Sequence, residues 1–309
     1  MSRVPVAILG SGNIGSDLLM KALRSAEVEP VAMAGVDPAS DGLARAKGLG
    51  LAVTDKGVEG FLETPEAKAV GVAFDATSAA AHLDHRGALE AAGIRVVDLT
   101  PSGAGPCVVP PVNLDAHADA ADVSMVSCGG QATVPVVAAV AGVARVPYAE
   151  IVSSIASKSA GPGTRANIDE FTATTSSSLV EVGGAASGKA IIILNPAEPP
   201  MIMRNTVLCI AEGAEPAEIR GEVQKMEREV RRYVPGYRLK QEVQLEPFEG
   251  PLPGGGTAAA GALKVTVFLE VEGAGEYLPA YAGNLDIMTS AALRAGEALA
   301  QRRRRGMAA

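Results

Sequence analysis

Apolar positions follow two different rhythms along the chain. Up to residue 130, short apolar runs alternate with segments of helical period. VAILG (6–10) reads as a buried strand, and IGSDLLMKALRS (14–25) carries apolar residues at helical spacing. PVAMAGVD (30–37) predicts a second strand, with short helices over 40–48 and 57–64. VGVAFDATS (70–78) predicts a strand running into a loop. HLDHRGALEAAG (82–93) predicts a helix with a glycine stop, IRVVDLT (94–100) a strand, and VSMV (123–126) the last strand of the series. Alternation of this kind implies a parallel sheet covered by helices on both faces.

The rhythm changes after residue 147. EIVSSIASKS (150–159), AIIILN (190–195), TVLCIAE (206–212), YRLKQEVQLEP (237–247) and LKVTVFLEVEG (263–273) read as strands, two of them alternating polar and apolar residues. Helices are expected near 165–181 and 215–234. The second places Ile219, Val223, Met226, Val230 and Tyr233 on one stripe, with charged residues outside it. The expected fold is therefore α/β: an N-terminal Rossmann doubly wound parallel sheet over residues 1–130, then an α+β domain over 131–283 for catalysis and dimerisation. A C-terminal helix from 284, within 284–309, is expected to complete the first domain.

Composition narrows the function classes. The 309 residues are 48% apolar and 20% charged, with a formal charge of 27 − 35 = −8. An acidic, apolar-rich chain argues against nucleic-acid binding. The basic run Arg302 to Arg305 reads as a solvated helix end. No window approaches the ~18 apolar residues of a membrane span, and the N-terminus reads as a strand and not a signal peptide. Three cysteines, far apart and without a CxxC pair, argue against a disulfide framework or zinc site and favour a reducing cytoplasm. His82 and His85 share a helix face and are expected to be hydrated surface histidines; no metal site is expected.

GSGNIG (10–15) fits G-x-G-x-x-G after a strand and at the opening of a helix. In that context Gly10 allows the tight turn, Gly12 lets a pyrophosphate approach the backbone, and Gly15 lets helix and sheet pack closely. The helix N-terminus offers N–H groups and positive dipole to phosphate. Asp37 is read as ending the second strand, where a carboxylate accepts hydrogen bonds from ribose hydroxyls and repels a 2′-phosphate. With no Arg or Lys until Arg45, NAD is favoured over NADP. Thr77 and its neighbours, and Thr100–Pro101–Ser102, follow later strands and either line the ligand crevice or cap loops.

SCGGQATVP (127–135) sets Cys128 between the last parallel strand and a helix expected to begin near Gln131. A thiol there borders the cofactor edge, and the helix end favours thiolate over thiol. Gly129 and Gly130 are read as making room for substrate, with free amides for an oxyanion. A cysteine beside NAD suggests aldehyde oxidation through a thioester. Cys107 and Cys209 are read as packed and inert.

The stretches GSGNIGSDL (10–18), FDATSA (74–79), SCGGQAT (127–133), SKSAGPGTRANIDEFT (157–172), LNPAEPPMIMR (194–204) and YAGNLDIMTSAA (281–292) carry a resemblance over nearly the whole chain. It resembles the acylating acetaldehyde dehydrogenases of aromatic and sterol meta-cleavage pathways. The resemblance implies a fold like glyceraldehyde-3-phosphate and aspartate-semialdehyde dehydrogenases, with Cys128 as acyl-thioester nucleophile. It implies NAD contacts from Ser11, Gly12, Asn13 and Ile14, from Asn284, and from Ser159, Ala160, Gly161, Pro162, Gly163, Thr164, Arg165, Ala166 and Asn167. It also implies coenzyme A as acyl acceptor for acetaldehyde or propanal. A 4-hydroxy-2-oxoacid aldolase is the implied partner, in a heterotetramer built on a dehydrogenase dimer and passing its aldehyde across directly. One departure stands out: where the family pattern carries an aspartate that assists thiol activation, this chain has Asn205. An amide orients a group but takes no proton at neutral pH. Arg165 suits a cofactor or CoA phosphate, or a bridge between subunits. The residues alone also allow phosphate or water as acceptor, and a non-enzymatic NAD-binding sensor with an oxidisable Cys128.

Overall fold

A computed structural model describes residues 3–161, 165 and 168–308, the last few of these by backbone alone. The chain divides into two compact units. The first comprises Met1–Met125, Glu276–Leu278 and Met288–Ala309; the second comprises Val126–Gly275 and Pro279–Ile287.

Six strands build the first unit's sheet: β1 (Val4–Leu9), β2 (Val28–Ala34), β3 (Ala52–Thr54), β4 (Val72–Asp75), β5 (Arg95–Asp98) and β6 (Asp122–Ser124). Their order is β3-β2-β1-β4-β5-β6, all parallel. This is the doubly wound arrangement, with its strand order reversing between β1 and β4. Both faces are covered, which explains the continuous apolar runs. On one face Ala7, Leu9, Ala73 and Val96 pack with Phe61 of α3 (Gly57–Leu62) and Leu89 of α4 (Ala79–Ala91). On the other, Phe74 lies against Gly296, where an added Cβ would sit 2.3 Å from the ring.

Gly296 belongs to the chain's last helix, Gly283–Ala308, most of which returns to this unit. A buried polar cluster joins it to α1 (Asn13–Ala22). Lys21 Nζ donates to Thr289 Oγ1 at 2.6 Å and Ser290 Oγ at 2.9 Å, and pairs with Asp17 at 3.0 Å. Ser25 Oγ donates to Glu297 at 2.6 Å. A lysine this deeply buried is tolerated because its ammonium is paired and its donors are used.

The second unit carries a mixed sheet of order β10-β12-β9-β7-β8, with β11 also on β12. Its strands are β7 (Arg145–Ala156), β8 (Gly188–Asn195), β9 (Met203–Glu212), β10 (Tyr237–Leu239), β11 (Gln244–Pro247) and β12 (Leu263–Val271). Only β7 and β8 pair in parallel. Residues 237–247, read from sequence as one strand, form two. Lys240 still donates its N–H to Phe268 of β12, exposed Gln241 and Glu242 interrupt the ladder, and Val243 turns back into the core. Val207 and Cys209 of β9 and Val267 and Leu269 of β12 are buried on one face. That face meets three helices, Cys128–Ala141, Ile168–Glu181 and Pro216–Arg231. The last begins with a capping box between Glu215 and Glu218 and buries Ile219, Val223 and Val230 of the anticipated stripe. On the opposite face Ile191, Val152, Thr206 and Phe268 form a row in register across four strands and stay part-exposed.

Candidate active site

In the first unit, β1 ends at Leu9 and α1 starts at Asn13, so Gly10, Ser11 and Gly12 are the whole connection and the rest of GSGNIG opens the helix. Gly10 has φ +101°, open to glycine, and an added Cβ would lie 2.4 Å from the carbonyl oxygen of Ala76. At Gly15 a Cβ would fall 1.9 Å from the carbonyl oxygen of Gly10. Gly12 differs, because a Cβ there meets nothing within 4 Å. It is the N-cap of α1, with no side chain capping the helix and no acidic residue in the first turn. The helix therefore offers uncapped N–H groups toward open space, the environment an anionic pyrophosphate needs. Exposed Gly12 and Asn13 and part-exposed Ser11 and Ile14 surround this end. The hydroxyls of Ser11 and Ser40 bond at 2.8 Å.

β2 ends at Ala34, so Asp37 lies in the loop beyond the strand and not at its end. The cause is Gly35, whose backbone N–H and C=O turn to Thr54 and Gly57 and close the ladder. Asp37 is exposed and accepts from the N–H of Ala39 at 2.9 Å. The next cation, Arg45, stacks on Tyr277 with 5.2 Å to the ring centre. Thr77 is exposed, and its hydroxyl donates to Asp75 at 2.6 Å.

The histidines depart from expectation. His82 is fully buried and His85 part-buried, so neither is a hydrated surface group. Their three-residue spacing turns both toward the sheet, where Asp75, Asp98 and Asp122 are buried. His82 Nδ1 lies 2.9 Å from Asp75 Oδ2, and Nε2 lies 3.0 Å from Asp122 Oδ2. Burial acts to lower the basicity of His82, but the bonds to Asp122 and Asp75 and the charge of Asp98 override it and raise its pKa to about 10. Asp75, His82 and His85 each place a ligand atom within 4.8 Å of the others. An imidazolium whose two nitrogens both donate has no lone pair for a cation, so the trio reads as a proton-filled cage.

The second unit holds the cysteine. The helix begins at Cys128 itself, three residues earlier than the pattern predicts. Ser127 is the N-cap: its hydroxyl accepts from the N–H of Gly130 at 2.9 Å and bonds the hydroxyl of Thr175 at 2.6 Å. Val126 is β-branched yet has φ 61°, so β6 ends at Ser124 and the chain turns sharply before the cysteine. A strained backbone two residues from a candidate nucleophile is held by its surroundings and carries a conformational cost.

The glycines serve packing, not substrate access. A Cβ on Gly129 would lie 2.8 Å from both Phe171 Cζ and Ser153 Oγ, and one on Gly130 would lie 2.6 Å from Val126 Cγ1. The amide of Gly130 is also committed to Ser127. The expected thiolate is corrected too. Burial pushes the half-buried Cys128 thiol up to about 12, outweighing hydrogen bonds from the backbone of Gly129 and of Cys128 itself. Those amides still favour an ionised sulfur once one forms. Alkylation of Cys128 by iodoacetamide, followed by peptide mapping, should therefore accelerate about tenfold per pH unit from pH 7 to 11. A plateau near pH 8 would show a preformed thiolate. Cys209 is buried, and burial likewise pushes its thiol up to about 12, as expected of a packed cysteine.

Asn205 is buried in β9 beside Ser153, its register partner on β7, and is not a surface residue. Its Oδ1 accepts from Ser153 Oγ at 2.7 Å, while its buried Nδ2 has no hydrogen-bond partner among the described residues. Ser153 Oγ also occupies the space that a Cβ on Gly129 would need, which places Asn205 one side chain away from that glycine, a proximity that sequence spacing does not reveal. Asn284 and Ser159 also come together, with Asn284 Nδ2 3.5 Å from the carbonyl of Ser159 and its buried Oδ1 without a hydrogen-bond partner among the described residues. Ser159 and Ala160 are buried and Gly161 is exposed. Arg165 donates to the carbonyls of Ala160 and Ser157 and to Ser157 Oγ, bracing the base of its own loop. Pro162, Gly163, Thr164, Ala166 and Asn167 lie outside the described residues. Within the second unit Asn284 keeps a buried acceptor without a partner among the described residues, and within the first unit Gly12 presents uncapped amides; each is a polar feature that a ligand can satisfy.

The chain is similar to known proteins over nearly its whole length. A family model described as "Prokaryotic acetaldehyde dehydrogenase, dimerisation" matches residues 128–279. The chain is 62% identical over 302 residues to acetaldehyde dehydrogenase 1 of Azotobacter vinelandii, covering 97% of this chain and 95% of that protein. It is 60% identical over 306 residues to acetaldehyde dehydrogenase 2 of Pseudomonas putida, covering 97% and 96%. Among solved structures it is similar to aspartate semialdehyde dehydrogenase II of Vibrio cholerae complexed with ASA. The TM-score is 0.62 at 12% identity, covering 97% of this chain and 99% of that one. At that identity the likeness is one of fold, and it is the fold class read from the sequence.

Proposed function

Because the chain belongs to the acetaldehyde dehydrogenase family, we propose that this aldehyde dehydrogenase is the acylating kind, turning acetaldehyde or propanal, NAD and coenzyme A into acyl-CoA and NADH. The observation that carries the reading is Cys128, the first residue of a capped helix, with its own amide and that of Gly129 at the sulfur. The thiol of Cys128 adds to the aldehyde carbonyl: a C–S bond forms, the C=O π bond opens, and the thiol proton passes to the former carbonyl oxygen to give the thiohemiacetal. A bound NAD supplies the hydride acceptor that the oxidation to a thioester needs. Attack by the CoA thiolate then releases acyl-CoA and returns the sulfur of Cys128.

In the first unit, Gly12 and the N-terminus of α1 would hold the pyrophosphate and Asp37 a ribose, favouring NAD because Asp37 is exposed and Arg45 is engaged by Tyr277. In the second, Ser159 and Asn284 offer polar groups of the kind a dinucleotide's amide uses, as the resemblance implies. Acetaldehyde and propanal differ by one methylene, about 1 kcal/mol of pocket contact, so both are expected to react.

The second unit's part-exposed row of Ile191, Val152, Thr206 and Phe268 fits a self-complementary dimer face, and the matched family description names dimerisation. A 4-hydroxy-2-oxoacid aldolase as source of the aldehyde, a place in aromatic degradation and a cytoplasmic location follow from the resemblance of the motifs and from cysteine usage. Among the described residues no helix is long and apolar enough to cross a membrane.

The test is NADH formation from acetaldehyde with and without CoA. With CoA, multiple turnover is expected. Without it, a single burst of about one NADH per subunit is expected, because the thioester waits for its acceptor. Sustained turnover without CoA would make water the acceptor and overturn the CoA assignment.

A further inference from the structure

The cage around His82 belongs to no step of the reaction, yet it joins three strands, and its Asp75 and Asp98 lie at the C-terminal edge where a doubly wound sheet binds its ligand. Asp75 is the last residue of β4, Asp98 the last of β5 and Asp122 the first of β6. His82 reaches all three from α4: Asp75 at 2.9 Å, Asp122 at 3.0 Å and Asp98 at 3.7 Å. His85, on the same helix, adds a 2.6 Å contact to Asp75, and Arg86 faces Asp122 at 3.5 Å. These are the charged groups around the imidazole.

Each of two carboxylates also shapes a loop with its other bonds. Asp75 Oδ1 accepts from the N–H of Thr77 at 3.0 Å and from its hydroxyl at 2.6 Å. The segment Ala76–Thr77 rests directly on Gly10, whose missing Cβ would lie 2.4 Å from the Ala76 oxygen and 3.2 Å from the Thr77 nitrogen. Asp98 accepts from the N–H of Thr100 at 2.7 Å and from the hydroxyl of Ser102 at 2.5 Å. The imidazole therefore stands one carboxylate away from the turn of the glycine fingerprint and from the loop after β5. A neutral buried histidine is satisfied by one acceptor and one donor; here carboxylates face both ring nitrogens and a third stands 3.7 Å away, so the ring is held as an imidazolium bridge.

We propose that His82 is a positioning residue for the dinucleotide: by bridging Asp75, Asp98 and Asp122 it fixes the segment 76–78 against Gly10, and with it the phosphate-binding turn. This rests on the cofactor reading above. Its signature is loss of cofactor affinity without loss of aldehyde chemistry. It also has a pH signature. The imidazolium holds the cage, so weakening its partners should make cofactor affinity fall as pH rises and the ring loses its proton.

The experiment is fluorescence titration with NADH, which needs no turnover, on wild type, His82→Gln and Asp122→Asn from pH 6 to 9. Wild type should bind with a dissociation constant that is flat over this range. His82→Gln should bind on the order of tenfold more weakly throughout, while KM for acetaldehyde at saturating NAD stays within about twofold. Asp122→Asn keeps the ring but removes one carboxylate; it should match wild type at pH 6 and weaken about tenfold by pH 9. Failure of wild type to bind NADH would sink the cofactor reading itself. Wild-type affinity in a folded His82→Gln, or a flat profile in Asp122→Asn, would overturn the positioning role and leave the cofactor reading standing. If His82→Gln does not fold, the Asp122→Asn profile decides alone.

Discussion

Replacing Cys128 with serine is expected to lower aldehyde-dependent NADH formation by on the order of 10⁴-fold or more, with NADH affinity unchanged. The size follows from the chemistry. Covalent catalysis through a thioester has no detour when the nucleophile is gone, and a serine hydroxyl is far less acidic than a thiol. Burial that already pushes the thiol up to about 12 would disfavour an alkoxide at least as strongly. Neither other cysteine starts a capped helix as Cys128 does. Cys209 is buried in β9, and Cys107 lies in a loop of the first unit. Activity reads the chemistry and NADH titration reads the fold and cofactor edge, so the two measurements separate a lost nucleophile from a damaged protein. A variant retaining a tenth of wild-type turnover would remove Cys128 from the nucleophile's role.

The contrast between what the chain announces and what it hides has a physical basis. The parallel sheet was legible because strands buried on both faces read as unbroken apolar runs, as at Val4–Leu9 and Val72–Asp75. The glycine fingerprint was legible because a tight turn and a close helix leave a fixed spacing. The His82 cage was not. Its carboxylates sit on three strands, each acidic residue looks locally like a loop entry, and only sheet order brings them under one helix. The protonation of Cys128 was hidden for a related reason. The helix N-terminus is visible in SCGG, but desolvation depends on what packs around it, including Phe171 and Ser153 from distant segments. Asn205 shows both sides: its departure from the family's aspartate stands in the sequence, while its bond to Ser153 exists only through strand register.

Two glycines three residues apart should respond differently to the same added methyl group, and the difference tests the cofactor edge. Gly15→Ala would place a Cβ 1.9 Å from the carbonyl oxygen of Gly10 and 3.4 Å from Ile8 Cγ2. The first clash is with backbone, which cannot rotate aside, so α1 must lift from β1. An overpacking cost of about 1–3 kcal/mol is expected, seen as a lower melting temperature. Displacing the helix end also withdraws its N–H groups, so NADH affinity should fall by on the order of 100-fold. Gly12→Ala meets no protein atom within 4 Å. It should fold with the wild-type melting temperature and lose affinity only through the methyl group standing where a phosphate approaches. Thermal melts and NADH titrations on both variants read the two effects separately. If Gly12→Ala bound NADH as well as wild type, the pyrophosphate would not cross that turn, and the open space beyond Gly12 would have to hold something else.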